Sequence, residues 1–302
     1  MSNLKDITLF LLDMDGTVNL GFDPIDGAKE FLETLLAQGK KFIFLTNNSS
    51  KNANDYVEKM KKLGFPCEKE NVFTSGMAAG MFLRDNKKGK KVYVCGTESL
   101  KNELLKYGVE ISEDDADLVL LGYDTELDYK KITKVCDLLD AGAEYYATNI
   151  DMVCPIENGR YLPDCGSFAD MFENAVKRRP IFLGKPDRTM IDILQKETNT
   201  PYENIAMVGD RLYTDVKTGV NAGVTSILVM SGETDEAILK ASDVEPTYIF
   251  DSVKNILEEI KCIYERKRKN EKENFIIGAC IISCYVNVYV SIYIKCRKYK
   301  KG

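Results

Sequence analysis

The apolar positions of this chain fall into short unbroken runs, separated by longer stretches in which apolar residues recur every three or four positions. Leu9-Phe10-Leu11-Leu12 is such a run, and it stops in Asp13-Met14-Asp15-Gly16-Thr17-Val18. A short continuous apolar run fits a strand buried on both faces of a parallel sheet. Pro24 to Gly39 then reads as a helix, with Ala28, Phe31, Leu32, Leu35 and Leu36 on one face and Gly39 as its stop. Phe42-Ile43-Phe44-Leu45 is a second buried strand that ends in Thr46-Asn47-Asn48-Ser49-Ser50. A helix from about Lys51 to Leu63 follows, with Ser49 or Ser50 as N-cap and Gly64 after it, and residues 71–75 read as a third strand. The order β-α-β-α-β predicts parallel strands joined by right-handed crossovers.

That count breaks between Gly76 and Pro180, a segment of about 105 residues and far longer than a crossover needs. It carries its own strands at Val92-Tyr93-Val94-Cys95, Leu118-Val119-Leu120-Leu121 and Tyr145-Tyr146-Ala147-Thr148. Helical patterns lie between them, near 98–107 and 129–141. The segment reads as a second α/β unit inserted into the first, placed to act as a lid. The first unit is expected to resume with Ile181-Phe182-Leu183-Gly184-Lys185-Pro186-Asp187. A helix at 189–197, strands at 205–208, 224–230 and 247–250, and a closing helix at 252–260 complete it. The expected plan is therefore a Rossmann-like parallel-sheet core at 1–77 and 182–262, an α/β cap at 78–181, and a tail at 263–302.

Composition narrows the chemistry. The chain has 302 residues, 44% hydrophobic and 29% charged, with net charge −6, as in ordinary globular proteins of two modest domains. The charge is uneven: residues 263–302 hold 10 Lys/Arg against 3 Asp/Glu, while the rest hold 31 against 44. An acidic body argues against nucleic acid as the main partner. The absence of histidine removes Ser-His-Asp, Cys-His and His-ligated zinc chemistry together. The nine cysteines include no C-x-x-C pair and no secretory pattern leads the chain, so reduced, mostly buried thiols in a cytoplasmic protein are expected.

The apolar runs share a polar ending. Asp13/Asp15, Thr46-Asn47 and Asp210 each follow one, and Lys185 follows another. Parallel strands bring such ends to one edge of a sheet, where open α/β folds bind ligands. Read alone, Asp13 to Thr17 fits an Asx turn leading to a cap by Thr17 as well as a site. Read together, Asp13, Asp15, Asp210 and Asp215 crowd enough negative charge to demand a cation. Oxygen-only ligands select Mg²⁺ over zinc. Lys185 adds a point charge suited to phosphate and Thr46 a hydroxyl donor. The set suits phosphoryl transfer, with a carboxylate as nucleophile.

Four stretches, Asp13-Met14-Asp15-Gly16-Thr17, Thr46-Asn47-Asn48, Gly184-Lys185-Pro186 and Gly209-Asp210-Arg211 through Asp215, resemble the four motifs of the haloacid dehalogenase (HAD) superfamily. The inserted cap and the Thr-Asn-Asn and Gly-Asp-Arg-Leu forms resemble its type IIA branch of NagD-like and 4-nitrophenylphosphatase-like enzymes, over about residues 5–262. The resemblance implies a Mg²⁺-dependent phosphatase of small phosphorylated metabolites: sugar phosphate, phosphoglycolate or aryl phosphate. It implies Asp13 as nucleophile and Asp15 as acid and base. Metal is implied at the Asp13 and Asp210 carboxylates and the Asp15 carbonyl, with Asp215 at the margin. Thr46, Asn47, Asn48 and Lys185 would hold phosphate. In the cap, Asn149 and Asp151 match the family's specificity loop, although a plain turn reads equally well there, and 157–160 reads as a hairpin turn. Homodimerisation through the cap also belongs to the resemblance.

Other classes fit less of the chain. A phosphoacceptor signalling domain leaves Asp15, the Gly-Asp…Asp stretch and the insertion unexplained. An ion pump needs far more membrane, and a phosphomutase or other phosphotransferase of the superfamily normally carries a different cap. The tail departs from the family pattern. Phe275 to Ile294 is twenty residues without a charge, long enough as a helix for about 30 Å of bilayer. Its second half alternates and is rich in β-branched and aromatic residues, which favours strands. A membrane anchor and an appended extension both stand as readings of it.

Overall fold

A computed structural model describes residues 3–156 and 160–263. The hairpin turn expected at 157–160 lies outside them at 157–159, as do the tail from 264 and the apolar segment 275–294. The first stretch runs β1 (Leu9–Leu12), a small hairpin of β2 (Asn19–Leu20) and β3 (Asp23–Pro24), α1 (Ala28–Ala37), β4 (Lys41–Thr46), α2 (Ala53–Lys62) and β5 (Val72–Thr74). The middle stretch runs α3 (Ser75–Asn86), β6 (Lys91–Cys95), α4 (Glu98–Lys106), β7 (Glu110–Ile111), β8 (Leu118–Leu121), α5 (Tyr129–Asp140) and β9 (Glu144–Ala147). It ends with β10 (Val153–Ile156), β11 (Arg160–Pro163), α6 (Cys165–Val176) and β12 (Ile181–Phe182). The last runs α7 (Thr189–Thr198), β13 (Ile205–Gly209), α8 (Lys217–Ala222), β14 (Thr225–Val229), α9 (Glu236–Ala241) and β15 (Tyr248–Phe250), with a helix from 253.

Two parallel sheets result. One has the order β15-β14-β13-β1-β4-β5, the other β12-β9-β8-β6-β7, and β10 and β11 form a separate antiparallel ribbon. This is a Rossmann-like core with an α/β cap built from the intervening chain. In the core, β1 lies between β4 and β13, with Leu12 level with Phe44 on one side and Val208 on the other. The strand order reverses there, and such a switch point opens a crevice at the carboxyl ends. Leu9 to Leu12 are fully buried, as a strand covered on both faces requires. Phe10 packs edge-on to Phe31 of α1 on one side of the sheet. Leu9 and Leu11 join Met190, Leu194 and Met207 on the other.

Several boundaries differ from the sequence expectation for local reasons. The first helix starts at Ala28, not Pro24, because Asp23 and Pro24 pair with Leu20 and Asn19 in the hairpin. Gly27, at φ +78°, turns the chain into the helix, a conformation that costs other residues more. α2 is capped by Asn52, with a reciprocal bond from Asp55. The candidate caps Ser49 and Ser50 are occupied elsewhere: Ser49 Oγ contacts Thr148 Oγ1 and accepts from Tyr123 N–H, and Ser50 binds Asn48. Thr17 caps no helix, and its buried hydroxyl has no hydrogen-bond partner among the described residues.

Two corrections concern the insertion. α3 was not legible in the sequence, since Gly76 and Gly80 break its apolar stripe. A Cβ at Gly80 would lie 2.4 Å from the Tyr107 ring, so the small residues let the neighbouring chain approach closely. α3 faces both layers, with Ala78 and Met81 in the core cluster and Ala79 and Leu83 in the cap cluster. The run at 181–183, read as a returning core strand, pairs instead with β9 in the cap sheet. Lys185 therefore reaches the core edge on a loop.

Candidate active site

The carboxyl ends of β1, β4 and β13 are adjacent, so their terminal residues meet. Asp13 continues β1, its N–H bonded to Val208 O at 2.9 Å. Asp210 follows β13 directly. Asp215 comes back to the same point on a wide turn, Leu212–Val216, a form of helix bulge frequent at functional sites. Carboxylate oxygens of Asp13, Asp210 and Asp215 lie within 4.8 Å of one another. Lys185 enters from the loop after β12. Its Nζ is 2.5 Å from Asp13 Oδ1 and 2.6 Å from Asp215 Oδ1, and the residue is 3% exposed.

The electrostatics follow from burial and crowding. Burial, then the charges of Asp13 and Asp215, pushes the Asp210 carboxyl up to about 8. Burial likewise pushes Asp215 up to about 6, against the pull of Lys185. For Lys185 burial acts downward, but Asp13 and Asp215 beside it outweigh burial and hold its ammonium above the ordinary lysine value. One lysine thus ion-pairs with two carboxylates, while Asp210 has no ion-pair partner among the described residues, and buried charge that is poorly paired is costly.

Asp210 is also the tightest point of the site. Its Oδ2 accepts from Glu233 N–H at 2.7 Å, and its backbone oxygen accepts from Thr234 Oγ1. A Cβ on Gly232 or Gly16 would stand 2.0 or 2.3 Å from Asp210 Oδ2. Gly16 sits at φ +88° and so serves both the turn and this close approach. Asp210 Oδ1 is buried without a hydrogen-bond partner among the described residues. An orphaned carboxylate oxygen, two neighbouring acids and oxygen donors alone fit a hard divalent cation such as Mg²⁺.

The other candidates divide. Asp15 stands apart from the acid cluster, its side chain 52% exposed. Oδ1 accepts from Gly21 N–H at 2.7 Å and Asn19 Nδ2 at 3.2 Å, and Oδ2 lies 3.5 Å from Lys59. Thr46 Oγ1 accepts from Asn48 N–H, and burial raises the pKa of the Tyr56 phenol. Asn48 Oδ1 is taken by the Ser50 N–H and hydroxyl. Asn47 brackets Lys185, accepting from its N–H at 2.8 Å and donating to its carbonyl at 3.0 Å. From the cap, Asp151 Oδ2 accepts from Asn47 Nδ2 at 2.7 Å and Asn149 Nδ2 at 3.0 Å. Arg211 stood in the fourth motif without a role, and Glu233 and Tyr56 escaped the sequence reading. The signal for Glu233 was present, since Ser231-Gly232-Glu233-Thr234 follows the β14 run as the other polar sets follow theirs.

A doubly wound core whose switch point gathers acids and a lysine under an inserted cap defines the class to which known proteins compare. The profile of haloacid dehalogenase-like hydrolases matches residues 10–110, and a HAD-hydrolase-like profile matches 182–256. An acid sugar phosphatase of Staphylococcus haemolyticus is 32% identical over 259 residues, 85% of this chain and 98% of that one. A 5'-nucleotidase of Bacillus subtilis is 32% identical over 250 residues, covering 83% and 97%. The crystal structure of a 4-nitrophenylphosphatase from Thermotoga maritima superposes with TM-score 0.82 at 40% identity, over 85% of this chain and 98% of that one. The chain belongs to the haloacid dehalogenase-like hydrolases, in their NagD-like type IIA branch, and is a phosphatase of that family.

Proposed function

We propose that this phosphatase is Mg²⁺-dependent and hydrolyses small phosphorylated metabolites through a phosphoryl group carried on Asp13. The observation that carries this reading is the buried Lys185 ammonium between Asp13 and Asp215, beside Asp210, whose Oδ1 has no hydrogen-bond partner among the described residues. Lys185 pins Asp13 Oδ1, leaving the second oxygen of Asp13 to attack phosphorus. The Lys185 ammonium, Thr46 and the N–H groups of the Asn47–Asn48 turn neutralise and orient the phosphate oxygens. Asp15, exposed and held by Gly21 and Asn19, gives a proton to the departing alkoxide. It then takes one from the water that attacks phosphorus and breaks the Asp13–phosphate bond, returning Asp13 as a carboxylate. Asp13, Asp210 and the Asp15 carbonyl would hold Mg²⁺, with Asp215 beside them, and the ion when bound neutralises charge on the transferring group.

In this reading the sequence bounds of 1–77 and 182–262 for the core and 78–181 for the cap shift at one point: Phe182 pairs in the cap sheet, so the return to the core falls between Phe182 and Lys185. Sugar phosphates, nucleotides and aryl phosphates are the proposed candidate substrates, a reading supported by the names of the relatives, with phosphoglycolate from the sequence reading. Among the described residues no helix is long and apolar enough to cross a membrane. A cytoplasmic protein, acting alone or as a cap-joined homodimer, is the accompanying proposal. The test is hydrolysis of p-nitrophenyl phosphate and a panel of metabolite phosphates, with and without Mg²⁺. Turnover that needs Mg²⁺ and falls about 10³-fold or more in Asp13→Asn is expected. Absence of turnover across the panel by the folded, Mg²⁺-loaded enzyme would refute it.

A further inference from the structure

We infer that Asp151 is a catch joining the cap loop 149–152 to the two catalytic loops of the core through Asn47 and Arg211. It is a positioning residue for phosphoryl transfer, not a contact to the leaving group. This deepens the proposed function and rests on it.

On the cap side the loop has no freedom. Asp151 O accepts from Gly166 N–H at 2.8 Å and Met152 O from Asp164 N–H at 3.0 Å. The loop is thus seated on the first turn of the twelve-residue α6. A Cβ at Gly166 would be 2.2 Å from Ile150 O, so the seat fits only because that residue is glycine. Cap and core also meet closely at Gly184, where a Cβ would lie 2.4 Å from Thr148 O and 2.7 Å from Asn47 Oδ1.

On the core side the Asp151 carboxylate reaches both catalytic loops. Oδ2 takes the Asn47 amide at 2.7 Å, and Oδ1 faces Arg211 at 3.7 Å, with the side chain 10% exposed. Asn47 is the residue that brackets the Lys185 backbone. Arg211 follows Asp210, and its Nε lies 2.7 Å from the carboxylate of Glu233, whose N–H holds Asp210. Each core partner of Asp151 therefore also places a charged group of the site. Oδ2 is filled by the Asn47 and Asn149 amides, and Oδ1 faces Arg211, so a substrate hydroxyl at Asp151 would have to compete with the guanidinium for Oδ1. Displacing the cap loop breaks a charge-assisted bond and an ion pair together, and frees the residues that set Lys185 and Asp210.

The two roles separate by experiment. Asp151→Asn, Arg211→Gln and the double variant are assayed on p-nitrophenyl phosphate, whose leaving group has no hydroxyl, and on a hexose phosphate. Amide hydrogen exchange of 148–153 is followed in each. The catch predicts that Asp151→Asn lowers kcat about tenfold by the same factor on both esters, with KM changed less than about twofold. It predicts a double variant no worse than the poorer single, faster exchange confined to the loop, and recovery of most of the Arg211→Gln loss in Arg211→Lys. A loss confined to the hexose phosphate, single losses that multiply, or unchanged loop exchange would each overturn it. Were the unaltered enzyme to hydrolyse neither ester, the phosphatase reading would fail, while loop exchange would still test the catch.

Discussion

The catalytic edge of the core and the ribbon of the cap are both polar and both near the crevice, yet they are held in opposite ways. At the core edge, Lys185, Asp210 and Asp215 are almost wholly buried and fixed by bonds from several loops. In the ribbon every residue of β11 is exposed, and Tyr161 is 65% exposed. Burial makes the first region intolerant, because each charge depends on the next. Exposure leaves the second free to vary. In the proposed mechanism chemistry is set where water is excluded, and the exposed ribbon is a surface free to vary in a fold whose relatives are named for different phosphate esters.

The contrast can be broken at four places, in decreasing order of effect. Lys185→Met removes the ammonium that ion-pairs with both Asp13 and Asp215. Turnover should fall about 10²–10³-fold, with about 3–5 kcal/mol of stability lost to the unpaired carboxylates. Denaturant unfolding checks the second figure, and added Mg²⁺ should recover part of it. Gly232→Ala places a methyl against Asp210 Oδ2 and should weaken Mg²⁺ binding about 10–100-fold, as disturbed ligand orientation does, read by titrating activity with Mg²⁺.

Asp164 tests the cap side through pH. Burial pushes its carboxyl from 3.8 up to about 6, so the folded state keeps the proton more tightly than the unfolded chain. The stabilisation is complete below 3.8 and is lost as pH rises through about 6. Asp164→Asn, which can still cap α6, should flatten the pH dependence of Tm in that window. Tyr161→Ala in the ribbon should move stability by no more than about 0.5 kcal/mol, altering KM among esters in steady-state assays while leaving kcat nearly unchanged.

Much of this was legible in the sequence, and for identifiable reasons. Apolar runs that end in Asp13, Thr46 and Asp210 carry both the strand and its product, because adjacent parallel strands must end together. The cap's existence followed from length alone. Other features were hidden. The glycines of α3 conceal its helical stripe, and the two-residue strand β12 has no pattern to say which sheet it joins. Arg211 and Glu233 gain meaning only once Asp151 is seen beside Arg211 and Asp210 beside Glu233. Pairings across 60 and 23 residues leave no periodic trace.

The most direct test of the central claim is to quench the enzyme with acid during turnover, reduce it with borohydride and map the products by mass spectrometry. An acyl phosphate on a carboxylate is reduced to the alcohol, so position 13 should be found as homoserine, and not in protein quenched without substrate. Conversion at another residue, or none in an enzyme that is turning over, would contradict the assignment of the phosphoryl group to Asp13.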